Sequence, residues 1–320
     1  VYAPALGVLA RLDGIGAAPY LIDSLFGRPL AACSWELDRS GRLVADAKLP
    51  WLKQRGDFTK ETVQDIAADV NRVDPKKQAH IIFIAAPPCQ DFSRVRADTP
   101  GHAGDRGRLF TEAVTFMLDL SRALRPRHFG FLFENVDMPT ADAKVVSDSL
   151  GVEPIFACGG DFGWVTRPRL WWTSVDWKAH PNDPSSGLPL GWGEHQKFRR
   201  LRLDGERRAA TDFDTGGLTF PEGIASGRLR FPCATTPAND ERGRDAPRSC
   251  RGKTPPDDHA RWMADSRQFA PWHYRAEKMM TDSGGHLVIP PASLKEQLRE
   301  MPKGFTDVAQ VTERAMAGTG

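Results

Sequence analysis

Long apolar runs are missing from this sequence. No stretch approaches the roughly 20 apolar residues that a membrane-crossing helix needs. No basic region followed by an apolar core marks a secretory signal. Cysteine is scarce and scattered. Cys33, Cys89, Cys158, Cys233 and Cys250 are the five in 320 residues, and none stands in a CxxC pair. That odd, wide spacing argues against a disulfide framework or a structural zinc site, and fits a reducing, intracellular setting. Asp257-Asp258-His259 and His273 suggest a metal only weakly and have no further partner at ligand spacing, so no metal is expected. Net charge is nearly absent too: the formal value is +2, and bulk charge announces no nucleic-acid partner. What is present is core-forming material. Hydrophobic residues make up 40% and charged residues 26%, the balance of a folded chain. The length suits one large domain, or one with a smaller lobe.

Residues 1–177 alternate strand-like and helix-like segments. "LGVLAR" leads through a glycine turn at Gly14 and Gly16 into a helix. "LAACSWE" is the next strand and ends in Glu36. Thr59, after Gly56-Asp57, is placed to cap a helix in which Val63, Ile66, Ala67 and Val70 share one face. "HIIFIAA" is a continuous apolar strand, as expected when both faces are covered. Phe110, Ala113, Met117, Leu120 and Leu124 form one helical stripe that stops at Arg125-Pro126. "HFGFLFEN" is another buried strand. This alternation predicts a doubly wound α/β sheet, whose ligands bind beyond the carboxyl ends of the strands. Gly14, Glu36, Cys89 and Glu134 all fall at such ends.

From residue 178 the texture changes. Segment 178–285 is rich in Pro, Gly, Arg and Asp and reads as a smaller, loop-rich lobe. "QKFRRLRLDGERR", "SGRLRF" and "ERGRDAPRSCRGK" are basic clusters within it, among interspersed aromatic residues. A charge run is more often a solvated face than a binding site. Segment 286–320 returns to a helical pattern.

Cys89 follows Pro87-Pro88 at a strand's carboxyl end, where a thiol faces the ligand crevice. The proline before it rigidifies the turn and has no N–H to satisfy. Glu134-Asn135-Val136 ends the next buried strand. A thiol and a carboxyl sharing one pocket suit attack on an electron-poor ring, with the acid engaging a ring nitrogen.

These residues carry a resemblance. Pro87-Pro88-Cys89-Gln90 with Phe92-Ser93 resembles the PCQ-x-FS motif of the cytosine-5 DNA methyltransferases, and Glu134-Asn135-Val136 resembles their ENV motif. "GDFGWVTRPRLWW" resembles the segment ending in Q-x-R-x-R, with Arg167 and Arg169 as its arginines and Val165 in place of the glutamine. Leu12-Asp13-Gly14-Ile15-Gly16 resembles the F-x-G-x-G cofactor loop, with Leu12 in place of the aromatic. "KEQLREMPKGFTD" resembles a late motif, E-x-x-R-x-x-x-F-P. "GRLFTE" and "GDFTKETVQDI" are most similar to the animal de novo enzymes. Gly318-Thr319-Gly320 resembles the opening of the last motif, so the full-length protein is expected to continue.

The resemblance implies a Rossmann-like methyltransferase domain over 1–177 that binds S-adenosylmethionine. It implies a target recognition region over 178–285 and a return to the catalytic domain over 286–320. Leu12, Asp13, Gly14 and Gly16 would form the cofactor loop. Glu36 and Leu37 would meet the ribose, Asp57 and Phe58 the adenine, and Pro88 would flank the cofactor. Cys89 would attack carbon 6 of a cytosine removed from the duplex stack, while Glu134 would hydrogen-bond ring N3 and the exocyclic amine. Carbon 5 would take the methyl group, lose its proton and release Cys89. Arg169 would hold the cytosine carbonyl, Arg167 would sit near it and a phosphate, and Asn135 would anchor the catalytic loop. Double-stranded DNA is the implied partner, through lysines and arginines on phosphate; no membrane is. The de novo relatives self-associate, which leaves a homo-oligomer open. The location is the nucleus in a eukaryote and the cytoplasm in a bacterium. Two alternatives remain beside this reading. One is a tRNA enzyme of the same chemistry, although the C-F-T segment of that relative is not visible. The other is a catalytically inactive binding module, against which the retained Cys89, Glu134, Arg169 and Glu36 count.

Overall fold

Runs of β-branched and apolar residues build the centre of a large sheet. A computed structural model of the chain describes residues 6–11, 14–93, 100–183, 186–205, 209–233, 254–309 and 311. In chain order the strands are β1 (Leu6–Arg11), β2 (Ala31–Trp35), β3 (Lys53–Gln54), β4 (His80–Ala85), β5 (Phe129–Val136), β6 (Ile155–Cys158), the short β7 (Val165–Thr166), β8 (Pro168–Thr173), β9 (Leu190–His195) and β10 (Phe198–Leu203). All except β7 join one nine-stranded sheet, ordered β3-β2-β1-β4-β5-β8-β6-β10-β9. The first five strands run parallel. Strand β8 is antiparallel to β5, and β9 to β10. This is the Rossmann-like α/β fold that the sequence predicts.

Parallel neighbours require long crossovers, and helices supply them. They are α1 (Ala17–Phe26), α2 (Arg39–Lys48), α3 (Val63–Val73), α4 (Asp105–Ala123) and α5 (Thr140–Leu150). The α4 stripe is where the spacing puts it: Phe110, Ala113, Met117, Leu120 and Leu124 are all buried. Phe110 stacks on Phe133 of β5 at 5.8 Å and meets Trp172 of β8 edge-on at 5.5 Å. Burying each such side chain contributes about 1.5–3 kcal/mol.

The cap of α3 differs from the expected one. Thr59 lies in a short 3₁₀ turn, Phe58–Lys60, whose own cap is Asp57. Thr62 caps α3 instead: its hydroxyl accepts from Asp65 N at 3.1 Å and donates to the Asp65 carboxylate at 2.6 Å. The reciprocal acid three residues on makes Thr62 the better cap. At the other end of α3, Asp74 accepts Gln78 N, Ala79 N and Arg127 Nε at 2.8–3.1 Å. The Arg127 side chain is fully buried in this pair.

The chain divides into two compact units, with boundaries unlike those expected. The first holds the described residues up to 157, together with those of 169–204. Residues 190–203, assigned above to the recognition region, are strands of the large sheet, because β10 pairs with β6. The second unit takes in 158–168 and the described residues from 205 onward. It holds α6 (Gly159–Phe162), α7 (Glu222–Ala225), β11 (Phe231–Pro232), α8 (Pro256–Ala264), β12 (Met280–Thr281), β13 (Leu287–Val288) and α9 (Ala292–Gln297). Segment 286–309 belongs to this second unit, not to the first. Leu294 and Leu298 share a core with Trp164, Phe213, Phe231 and Met280. Glu296, the acid of the late motif, clamps the turn after α9, accepting from Gly304 N and Thr306 N at 2.6 Å each. Gly318-Thr319-Gly320 and Cys250 lie outside the described residues. No described helix is long and apolar enough to cross a membrane.

Candidate active site

Strand β4 delivers Cys89, and two anchors hold the turn that carries it. The first comes from the neighbouring strand. The register pairs Ala85 with Phe133, so the chain beyond β4 runs beside Glu134 and Asn135. Asn135 is buried; its Nδ2 donates to Pro87 O at 3.0 Å and its Oδ1 accepts from Val136 N at 2.9 Å. The second anchor follows Cys89. Phe92 N donates to Cys89 O at 3.0 Å, closing a tight turn. The buried Asp91 carboxylate then accepts Arg106 N at 3.0 Å and Gly107 N at 2.9 Å, at the N-terminus of α4. A carboxylate there satisfies orphan donors and meets the positive end of the helix dipole.

Glycine is required for that approach. A Cβ on Gly104 would lie 2.2 Å from Asp91 Oδ2, and one on Gly107 would lie 1.9 Å from Gly101 O. The sequence reading missed Asp91 and these glycines. The signal was there: Gly101, Gly104 and Gly107 recur every third residue just ahead of a long helical stripe. Phe92 is fully buried and meets His102 at 4.8 Å, while His102 Nε2 reaches Asp142 O at 2.9 Å. Cys89 itself is half-buried, and Gln90 is exposed.

Glu134 and Arg169 come from adjacent antiparallel strands. Val136 stands opposite Arg169 and Glu134 opposite Trp171. Arg169 Nε pairs directly with Glu134 Oε1, with side chains 14% and 16% exposed. Carboxyl and guanidinium thus form one preformed unit across β5 and β8, the two strands that follow β4 in the sheet.

The other end of the row is built on Glu36. Its Oε2 accepts Gly14 N at 2.8 Å, and its Oε1 accepts Leu37 N at 2.7 Å and Asp38 N at 2.8 Å. Asp38 caps α2 through Gly41 N at 2.7 Å. Gly41 has no room for a Cβ, which would lie 2.6 Å from Gly14 O. The glycine turn after β1, the acid after β2 and the first turn of α2 are therefore one cradle. Gly16 has a φ of 82°, open to glycine without strain. Leu37 is exposed and Phe58 buried. Asp57 accepts both Thr59 N and the Thr59 hydroxyl, which hold its carboxyl below the usual range. Leu12 and Asp13 lie outside the described residues.

Strands β2, β1, β4 and β5 are consecutive and parallel, so these residues share one edge of the sheet. Three spacings of about 4.8 Å separate the Glu36 strand from the Glu134 strand by about 14 Å. Arg167 belongs to the second unit. Its Nη1 donates to Cys233 Sγ at 3.1 Å.

The described basic side chains outside this row are largely engaged. Arg199 lies 4.0 Å over the Trp192 ring, Arg202 pairs with Asp204, and Arg228 pairs with Glu222. Arg230 donates to the carbonyls of Gly160, Gly227 and Leu229. The cluster "ERGRDAPRSCRGK" lies outside the described residues.

Residues 53–144, which hold Asp57, Cys89, Asp91 and Glu134, match the family model "C-5 cytosine-specific DNA methylase". Three solved structures share the fold over nearly the whole chain. The S. pombe Dnmt2 methyltransferase is 16% identical, with a TM-score of 0.53, covering 98% of this chain and 92% of that one. A Spodoptera frugiperda DNMT2 variant is 15% identical, with a TM-score of 0.55 and coverages of 99% and 96%. The Entamoeba histolytica methyltransferase EhMeth is 12% identical, with a TM-score of 0.54 and coverages of 98% and 92%. No curated protein matches.

Proposed function

We propose that this chain, which carries a C-5 cytosine-specific DNA methylase domain, methylates carbon 5 of cytosine in double-stranded DNA through Cys89. One observation carries the reading. A half-buried thiol is held rigidly at the carboxyl end of β4, beside a Glu134–Arg169 pair on the adjoining strands. That arrangement suits a flat heterocycle whose ring must be attacked at one carbon and polarised through a nitrogen.

The cytosine has to leave the base stack, since its ring faces are covered there. The Cys89 thiolate adds to carbon 6, forming an S–C bond as the ring's carbon–carbon double bond gives up its π electrons toward carbon 5. Glu134 hydrogen-bonds N3 and the exocyclic amine, which draws electron density off the ring. Arg169 orients the Glu134 carboxyl and stands ready for the ring carbonyl. Asn135 and Asp91 keep the Cys89 turn from drifting; a reacting atom misplaced by an ångström loses much of its rate. Once carbon 5 has used that electron pair to bond the transferred methyl group, loss of its proton to water restores the double bond and expels Cys89.

S-adenosylmethionine is the cofactor of this family and supplies the methyl group when bound. The residues present fit it. Glu36 gives three acceptor positions to backbone N–H groups and keeps one of its roughly four lone pairs for a ribose hydroxyl. The turn at Gly14 and Gly16, with Asp57 and Phe58, would complete its site.

The test is methyl transfer from tritiated S-adenosylmethionine to duplex DNA or to tRNA, beside Cys89→Ser. Label on DNA that disappears in Cys89→Ser is the expected result. Label on tRNA alone would overturn the DNA substrate and keep the chemistry. No label on either would favour a binding module.

A further inference from the structure

The second unit carries a small hairpin, β12–β13, with one open edge. Asp282 ties down its turn: the carboxylate accepts Gly284 N at 2.9 Å and His286 N at 2.8 Å, and Asp282 N donates to His286 O at 3.0 Å. The strands pair antiparallel, Thr281 opposite Leu287 and Met280 opposite Val288. Thr281 turns its own backbone to the other side. Its N–H donates to Thr219 O at 3.0 Å, and its carbonyl accepts Thr219 N at 2.8 Å. In an antiparallel ladder, pairs that exchange hydrogen bonds alternate with pairs that share none. Thr281 and Leu287 are the second kind, so the Leu287 N–H and C=O point away from β12. Ile289, two residues on, repeats that direction in an extended chain, the conformation favoured before a proline. Among the described residues, none hydrogen-bonds to the backbone of Leu287 or Ile289. Pro290 and Pro291 have no N–H and close the edge at that end.

This edge borders a groove of about 490 Å³, within the range of sites that hold a ligand. Arg261 and Ala264 of α8 stand among its other walls. Its floor is apolar: Phe269, Tyr274 and Met279 share a core with Trp262, and the side chains of Leu287 and Ile289 pack against that core. Three charged side chains line the groove, Arg261, Asp265 and Lys295. Arg261 is paired with Asp258, and Asp265 accepts from the Tyr274 hydroxyl and from Gln268 Nε2. Lys295 presents its cation beside the floor, 3.8 Å over the Phe269 ring. An acidic side chain is its electrostatic complement. The backbone groups narrow the occupant further. A phosphodiester backbone has acceptors but no N–H to answer the carbonyls of Leu287 and Ile289, whereas a peptide backbone supplies donor and acceptor at strand spacing.

We propose that the β13 edge docks an extended peptide of another protein, which adds to the hairpin as a further strand. The peptide backbone pairs with Leu287 and Ile289. Its alternate side chains are apolar and rest on Phe269 and Met279, and an acidic residue stands at Lys295. Main-chain bonds give such a complex its affinity, and the alternate side chains give it specificity. The site lies wholly within the second unit and needs nothing from the reaction at Cys89.

The experiment selects binders from a phage-displayed library of random ten-residue peptides on the full chain, then follows amide hydrogen exchange with an enriched peptide. Enriched sequences should alternate apolar residues and carry an acid. At a tenfold excess over Kd, exchange at the Leu287 and Ile289 amides should slow about tenfold by mass action. N-methylating the peptide at the residues whose N–H groups pair should weaken binding at least about tenfold. N-methylating the intervening residues should change it less than about threefold. Replacing the peptide's acid by lysine should weaken binding at least about fivefold. These changes leave the protein and its folding untouched. No enriched peptide, protection at other amides instead, or an equal response to the two sets of N-methyl groups would overturn the proposal. Rival occupants are read in the same way. Leu287 and Ile289 amides already protected in the dilute chain alone would mean that the chain covers its own edge. Protection that rises with protein concentration would mean a second copy, and protection by duplex DNA without peptide would mean a nucleic acid. Each of the three would overturn the proposal.

Discussion

Replacing Asn135 by alanine should damage stability and rate together. The side chain bridges two backbone groups, Pro87 O at 3.0 Å and Val136 N at 2.9 Å, and is 1% exposed. Alanine leaves a carbonyl and an N–H without their partner at a site with little access for water. Each stranded group costs about 1–3 kcal/mol, so the sum is about 2–4 kcal/mol once some relaxation is allowed. Asp at the same position keeps the acceptor for Val136 N but turns a lone pair toward Pro87 O. It should therefore be no better than alanine at neutral pH and should partly recover when protonated in acid. Urea unfolding reads the stability term. Single-turnover methyl transfer reads the rate, which should fall about 100-fold as the Cys89 turn loosens. An Asn135→Ala chain within about 0.5 kcal/mol and threefold of wild type would refute the anchoring argument.

Other outcomes follow from the same contacts. Arg127→Met strips the buried Asp74 of its charge partner and should cost about 3–5 kcal/mol in urea unfolding, whereas Arg127→Met with Asp74→Asn should recover part of that. Gly107→Ala drives a methyl into Gly101 O, 1.9 Å away, and should abolish soluble folding or activity, while Gly193→Ala, with open space around it, should leave a folded chain. Glu36→Ala should weaken S-adenosylmethionine binding in calorimetry at least about tenfold, since it removes the ribose acceptor and unties Gly14. Burial, reinforced by Lys295, pushes the His273 imidazole down from 6.5 to about 3. The unfolded chain therefore takes up a proton below 6.5 that the fold refuses. Stability from this group is complete above pH 6.5 and falls toward pH 3, by about tenfold in the folding equilibrium per pH unit. Urea midpoints between pH 7.5 and 4.5 should show that slope, and His273→Gln should flatten it.

The parts of the fold that local pattern controls are legible in the sequence. "HIIFIAA" became β4, and the stripe from Phe110 to Leu124 became α4, because a buried strand and an amphipathic helix each declare their period in neighbouring residues. Cys89, Glu134 and Glu36 were legible as strand-end residues for the same reason. Pairings between distant segments were not. "FRRLRL" alternates apolar and basic residues, and the arginines disguised a strand; three of its cations now rest on Trp192 and Phe156 or pair with Asp204. Its partner, β6, lies more than forty residues upstream, and nothing in either strand names the other. The division of Arg167 from Arg169, two residues apart, was equally hidden, because it depends on β7 choosing β11 while β8 chooses β5. Asp91 was hidden for a simpler reason: its partners are the backbone N–H groups of Arg106 and Gly107, and only the Gly101-Gly104-Gly107 spacing marks them in the sequence.

The most direct test of the account is covalent capture. Duplex DNA carrying 5-fluorocytosine, incubated with the chain and S-adenosylmethionine, offers a carbon 5 whose fluorine cannot leave as a proton does. The enzyme should therefore stall with its sulfur still bonded to carbon 6. Digestion and mass spectrometry should then find the nucleotide on the peptide containing Cys89, and on no other cysteine. An adduct on a different cysteine, or methyl transfer to ordinary cytosine that survives Cys89→Ser, would contradict the central claim.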